Sequence, residues 1–311
     1  VGTLESKGWE FALWTQPLKT KDWLVGFDFN ISQNENVIRE ISPLYPSQRG
    51  NLTNNGTYLA LLQTNNPFGS FYGYKHKGVY KDKDATIARD ANGNPIVGAN
   101  GQTIYMRFSY PTVDYIFQPG DAMYEDINYD GNIDHKDVVY LGNNNPRFYG
   151  GFGPNISWKG TWRLSAFFSY RYDVDVVNGT KMSTTRMSNY DNQSTAVLRR
   201  WRAEGDITDI PRGMIGGGYN WLGSDRYVED ASFLRFRTIT LRYTVPPMRL
   251  QRVGIKSLSA YLTGENLYTF TNYTGQDPEV SMPGSDPFRI VTDNSMTPPT
   301  KNFTLGLVVG F

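Results

Sequence analysis

Lys301-Asn-Phe-Thr-Leu-Gly-Leu-Val-Val-Gly-Phe311 is the stretch whose reading settles the fold. Phe303, Leu305, Leu307, Val309 and Phe311 fall on one parity, and Thr304, Gly306, Val308 and Gly310 on the other. A strand here therefore has one greasy face and one small, mostly polar face, and the greasy face needs an apolar medium. A soluble sandwich supplies that medium with a second sheet. A bilayer supplies it with lipid, and an aromatic residue closing such a strand is how outer-membrane barrels finish. Eleven residues at about 3.3 Å each, tilted by about 40°, span roughly 28 Å, the thickness of a hydrocarbon core.

The same alternation recurs upstream. Trp9, Phe11, Leu13 and Thr15 mark a strand near 8–16 that stops at Pro17, and Trp23, Val25, Phe27, Phe29 and Ile31 mark its hairpin partner near 22–32. Further strands are expected near 148–158 and 161–172, around the tight Lys159-Gly160-Thr161 turn. Another falls near 232–244, where Leu234 and Phe236 sit on the opposite parity from Ile239, Leu241 and Tyr243, so a bulge is expected near Arg237. Leu258, Ala260 and Leu262 give a strand near 257–264, and 301–311 closes the set.

Three long excursions, 33–147, 173–231 and 265–300, alternate with short turns, so all the short turns lie on one side of the sheet. That asymmetry, short periplasmic turns against long extracellular loops, predicts an all-β, antiparallel transmembrane β-barrel. Seven strands do not close a bacterial barrel, and open edges in lipid leave backbone groups without partners. The remaining strands are expected from an upstream segment or another chain. The first excursion is too long to be passive, and local elements are expected around Tyr58–Gln63 and Ile104–Phe108.

Composition narrows the function. The 31 Lys+Arg and 30 Asp+Glu nearly cancel, which argues against a nucleic-acid partner, and the absence of Cys excludes disulfides and thiolate metal sites. No run of about 18 apolar residues makes a transmembrane helix, but barrel strands hide their apolarity in alternation. His76 and His135 sit in no ligand or nucleophile pattern, and no Gly-x-Ser-x-Gly, His-Glu-x-x-His or Walker loop occurs, so no enzyme is expected.

One local motif carries chemistry. Asp126, Asn128, Asp130, Gly131, Asn132, Asp134 and Asp137 fit the twelve-residue calcium-loop template, with Asp in place of Glu at the twelfth position. Positions one, three and five turn oxygens inward, Gly131 permits the sharp reversal, Asn132 offers its carbonyl and Asp137 closes the shell, while Ile133 pins the loop to an apolar cluster. The expectation is a structural Ca²⁺ that stiffens the first long loop before the chain re-enters the sheet at Pro146. Arg199, Arg200 and Arg202 around Trp201 read as a loop cluster. Trp201, Tyr219 and Trp221 are the candidate substrate contacts.

Several blocks together resemble the SusC/RagA family of TonB-dependent outer-membrane transporters. They are Phe71-Tyr-Gly-Tyr-Lys-His-Lys-Gly-Val-Tyr80, Pro119-Gly-Asp121, the acidic loop, and Asn145-Pro-Arg-Phe-Tyr-Gly-Gly151. Downstream follow Gly205-Asp-Ile-Thr-Asp-Ile-Pro-Arg212, Tyr227-Val-Glu-Asp-Ala-Ser-Phe-Leu-Arg235, Gly264-Glu-Asn-Leu267 and Gly275-Gln-Asp-Pro-Glu279. The resemblance implies a barrel of about 22 strands, of which this chain supplies the last seven, with the plug domain and the N-terminal strands absent. It implies import of large nutrients, oligosaccharides or peptides, across the outer membrane of a Gram-negative bacterium. A SusD-like surface lipoprotein would be the partner, and TonB would engage through the missing N-terminal part. The alternative is a SusC-like barrel serving as a scaffold subunit of an outer-membrane assembly or secretion complex.

Overall fold

Seven antiparallel strands pair in chain order: β1 (Thr3–Lys19), β2 (Trp23–Glu40), β3 (Phe148–Trp158), β4 (Trp162–Tyr172), β5 (Phe233–Thr244), β6 (Ser257–Thr271) and β7 (Asn302–Gly310). The computed structural model describes residues 2–43, 58, 62–109, 113–216, 219–250, 254–279 and 291–311. Among them β1 and β7 are the two edges of the sheet. Half of the element expected around Tyr58–Gln63 lies outside the described residues. At Ile104–Phe108 there is local pairing, with Arg107–Phe108 between two short strands.

The ladder registers align the apolar parities of all seven strands on one face. Leu13 faces Phe29, Phe29 faces Phe152, Phe152 faces Phe168, Phe168 faces Phe236 and Phe236 faces Tyr268. Nearer the short turns, Val25, Ile156, Leu164, Leu241, Leu262 and Leu305 form a second unbroken row. Aromatic rings mark both margins. Trp23–Trp158 and Trp162–Tyr243 lie at one end, with centroids 6.0 and 4.6 Å apart, and Trp9–Phe148 and Phe148–Tyr172 at the other, 6.3 and 6.5 Å apart. The ten residue steps from Phe148 to Trp158, at about 3.3 Å each and tilted about 40°, separate these margins by roughly 25 Å.

No protein layer covers this face on the closing strand: Phe303, Leu305 and Leu307 are 72%, 81% and 67% exposed. The opposite face is polar, with Asn155 donating to Asp28 at 2.6 Å and Thr240 bonded to Thr263 at 2.9 Å. The expected bulge is present. Arg237 is skipped in the ladders of β5 with both β4 and β6, and this one-residue slip brings Leu234 and Phe236 onto the face of Ile239 and Leu241.

Three boundaries differ from the sequence reading. β1 does not stop at Pro17 but absorbs it in a bulge between Thr15 and Leu18, where the missing N–H costs no ladder bond. β2 continues past Ile31 to Glu40, paired with β1 all the way to Thr3. That stretch projects beyond the aromatic margin, where polar residues fall on both faces and the adjacent Val37 and Ile38 break any apolar period. β6 continues through Gly264, Glu265 and Asn266 to Thr271, its register with β5 shifting where Asn266, at φ 52°, lies across from Arg237.

The densely packed interior lies in the excursions rather than in the sheet. Tyr72, Tyr74, Tyr80, Phe108, Phe117, Tyr124, Ile133 and Leu222 form one buried cluster, and Phe71, Val177, Trp221 and Tyr227 belong to another. The first excursion is stitched to the second by Tyr74 N–H donating to the Gly223 carbonyl at 2.8 Å and by Tyr124 Oη donating to the Tyr219 carbonyl at 3.0 Å. The third joins through Val291 and Tyr273, packed with Val174 and Val176.

Candidate functional site

The folded loop body and its anchorage to the polar face of the sheet hold the side chains that could recognise a ligand, since the apolar face offers only hydrocarbon contact. Each sequence-selected residue has a definite place in it. Trp201 is half-buried; its indole Nε1–H donates to the Lys81 carbonyl at 3.2 Å and its ring lies against Gly120. Gly120 is required twice over. Its φ is +87°, and a Cβ would stand 2.3 Å from Trp201 Cε3. Tyr219 stacks on Phe108 at 4.7 Å. Trp221 corrects an expectation: it is 0% exposed, enclosed with Phe71 and Tyr227, and presents no surface to a substrate.

The basic run around Trp201 turns inward on its own backbone. Arg202 Nη2 donates to the Leu198 carbonyl at 2.9 Å and Arg200 Nη1 to the Val197 carbonyl at 3.5 Å, so these guanidiniums cap the 3-10 turn Thr195–Arg199. His135 belongs to the 3-10 turn His135–Asp137, whose Asp134 side chain accepts from Lys136 N–H.

The acidic loop makes a tight reversal with Gly131 at φ +81°, and Ile133 is fully buried in the first apolar cluster. Its carboxylates serve the backbone. Asp126 accepts from Gly131 N–H at 2.7 Å, Asp130 from Asn132 N–H at 2.9 Å, and Asp137 from Ile127 and Asp134 N–H at 2.8 and 2.9 Å. The Lys136 ammonium stands 3.2 Å from Asp130. Burial raises the Asp137 carboxyl to about 6, against the pull of its two amide donors, with Asp126 and Asp134 adding to the rise. Among the described residues no three His, Asp or Glu side chains are gathered as a ready-made metal cage. The oxygen donors suit calcium in kind, but Lys136 would have to leave and carboxylates turn for an ion to be held.

The strongest anchorage was not singled out from the sequence. Arg235, on the polar face of β5, is 1% exposed; its Nη2 donates to Asp277 at 2.5 Å and its Nη1 lies 3.1 Å from Glu279. Arg237, displaced by the bulge, reaches both Glu279 oxygens at 2.7 and 2.6 Å and Ser169 Oγ at 2.8 Å. Two arginines of the sheet thus clamp two carboxylates of the third loop. The signal was present: charged residues on the lipid-opposed parity of a strand, paired with the acids of Gly275–Glu279.

An antiparallel sheet with a bare apolar face, aromatic margins, turns at one end and a folded loop body at the other has the architecture of an outer-membrane barrel wall. No family model matches the chain. It is 26% identical over its full length to TonB-dependent receptor P3 of Formosa agariphila, and 28% identical over 92% of its length to receptor P39 of the same organism. It is 24% identical over its full length to TonB-dependent receptor SusC of Bacteroides thetaiotaomicron. It spans 29%, 28% and 27% of those relatives' own lengths. The fold of the RagAB peptide transporter covers all of this chain with a TM-score of 0.69 at 21% identity, using 30% of that chain. From end to end the chain is homologous to TonB-dependent receptors of the SusC/RagA type, a non-enzymatic transporter family.

Proposed function

We propose that this chain forms part of the wall and the extracellular loop body of an outer-membrane TonB-dependent importer of large nutrients. The observation that carries the reading is the apolar face continuous over all seven strands, with aromatic margins about 25 Å apart and with Phe11, Phe303 and Leu305 left exposed among the described residues. Further strands of the importer pair with the edges β1 and β7 and close the barrel. A SusD-like lipoprotein caps the loop body, and TonB acts on parts of the importer outside these seven strands. Trp201 and Tyr219 face the transported material, which is an oligosaccharide or a peptide; the RagAB peptide transporter supports a peptide. Expression of the gene encoding this chain, followed by outer-membrane fractionation and affinity capture, tests the reading. Recovery in the outer membrane with a SusD-like lipoprotein is expected, and a protein found in the aqueous fraction would refute it.

We also infer that the loop Asp126–Asp137 takes up a structural Ca²⁺ through Asp126, Asn128, Asp130, Asn132, Asp134 and Asp137 once Lys136 swings away. The spacing of oxygen donors around Gly131 supports this. Added Ca²⁺ should slow proteolysis at Tyr129 in the wild type and not in Asp126→Ala; equal cleavage with calcium and with chelator would refute it.

A further inference from the structure

Helix α1 (Gly179–Thr185), the turn at Asp225–Tyr227, the strand starting at His76 and the segment 274–276 enclose a cleft of about 570 Å³. Its size suits a small ligand, or one residue or sugar of a longer one. Its charges do not cancel. Lys181 is paired with Glu229 at 2.9 Å, and Arg199 faces Asp209 at 4.0 Å. Arg226 has no such partner among the described residues; its guanidinium rests over the rings of Trp221 and Tyr227, 6.0 and 5.3 Å from their centroids.

Two buried nitrogens of this lining have no hydrogen-bond partner: Arg226 Nη1 and His76 Nε2. The His76 backbone N–H is tied to Asp225 Oδ1 at 2.8 Å, and its ring meets Tyr124 edge-on, so the imidazole is held in place. An unsatisfied charged donor away from water is costly, and an acceptor that enters the cleft recovers that cost. Burial together with the Arg226 charge, against the smaller opposing pull of Asp209, holds the His76 pKa down at about 3, so His76 is neutral and the Arg226 guanidinium is the cation beside it. One such charge, in a planar fork, matches a monoanion with two acceptor oxygens. Thr180, Lys181 and Thr184 line the same space and give it a polar wall.

We infer that this cleft binds a carboxylate group of the transported material through Arg226, with His76 beside it. The inference rests on the import reading and specifies the chemistry that the importer selects. A carboxylate of this kind comes from an acidic peptide or from a uronic-acid oligosaccharide, and the test separates the two.

Outer membranes from cells expressing the gene that encodes this chain are titrated with fluorescent oligoglutamate and oligogalacturonide, each against its amidated counterpart. Wild type should hold one carboxylate probe about tenfold or more tighter than its amide, the range for a charge-assisted hydrogen bond at a buried donor. Which probe shows the preference identifies the source. Arg226→Gln should bring the ratio near one, and Arg226→Lys should keep part of it. Equal binding of both forms by wild type, or an unchanged ratio in Arg226→Gln, overturns the inference. The wild-type ratio decides even where a variant fails to fold. Membrane insertion is scored separately by fractionation, so a protein that inserts and imports without discriminating defeats the cleft assignment alone.

Discussion

Arg235 of β5 donates to Asp277 of the third loop at 2.5 Å from a side chain that is 1% exposed. The pair carries charge into a dry site, so its geometry matters more than its Coulomb energy. Removing Asp277 leaves the buried Arg235 with Glu279 alone to pair it, 3.1 Å from Nη1. Asp277→Ala should destabilise the docked loop by less than the roughly 3–5 kcal/mol of a fully orphaned buried charge, about 1–3 kcal/mol. The measurement is protease sensitivity of residues 272–279, which should rise sharply in the variant while the strands stay protected.

Phe168 lies in the middle of the apolar face, its ring 5.2 Å from Phe152 and 4.5 Å from Phe236. If lipid covers that face, Phe168→Arg places a charge near the bilayer midplane at a cost of about 2–4 kcal/mol. Ser165→Arg, on the opposite parity of β4, should be nearly neutral. Outer-membrane yield of the two variants checks this, and equal yields would contradict a lipid-facing Phe168.

Gly120→Ala meets two obstacles, the φ of +87° and the Trp201 ring 2.3 Å from the new methyl. The backbone part is of order 1–3 kcal/mol. In a Trp201→Ala background the steric part disappears and the backbone part stays, so the double mutant should lose less than the two single losses combined. Thermal unfolding of the loop body reads the difference.

Asp175 is held by burial at about 6, above its ordinary 3.8, with Asp173 and Asp230 adding to the rise against the Asn143 N–H. A carboxyl raised on folding binds its proton more tightly when folded. Its contribution to stability is full below about pH 4 and is lost as pH rises through about 6. The short strand Asp175–Val177 should therefore exchange its amides more slowly, after correction for intrinsic rates, at pH 5 than at pH 7.5. Asp175→Asn, which keeps an acceptor for Asn143, should flatten that difference.

Strands with one apolar and one polar face were legible because that contrast imposes a period of two. β3 begins and ends where the alternation from Phe148 to Trp158 does, and the parity slip between Phe236 and Ile239 located the Arg237 bulge. The extension of β2 to Glu40 was not legible, since polar residues on both faces carry no period. Glu265 and Asn266 read as a loop start because a left-handed bulge residue and a turn residue have the same preferences. The loop core was hidden for another reason: Tyr74, Tyr124, Trp221 and Leu222 meet across long stretches of chain, and no local pattern announces that. Trp221 thus looked like an available aromatic and is a packed one.

If lipid covers the sheet's bare greasy side, the placement of the buried aromatic clusters in the excursions gives the molecule two cohesive halves that answer to different solvents. Urea attacks the upper half through its water-driven packing, whereas exchanging one amphiphile for another tests only the lower. Denaturation should accordingly proceed in two separable steps, with the intrinsic fluorescence of Trp221 reporting the first and that of Trp158 and Trp162 the second.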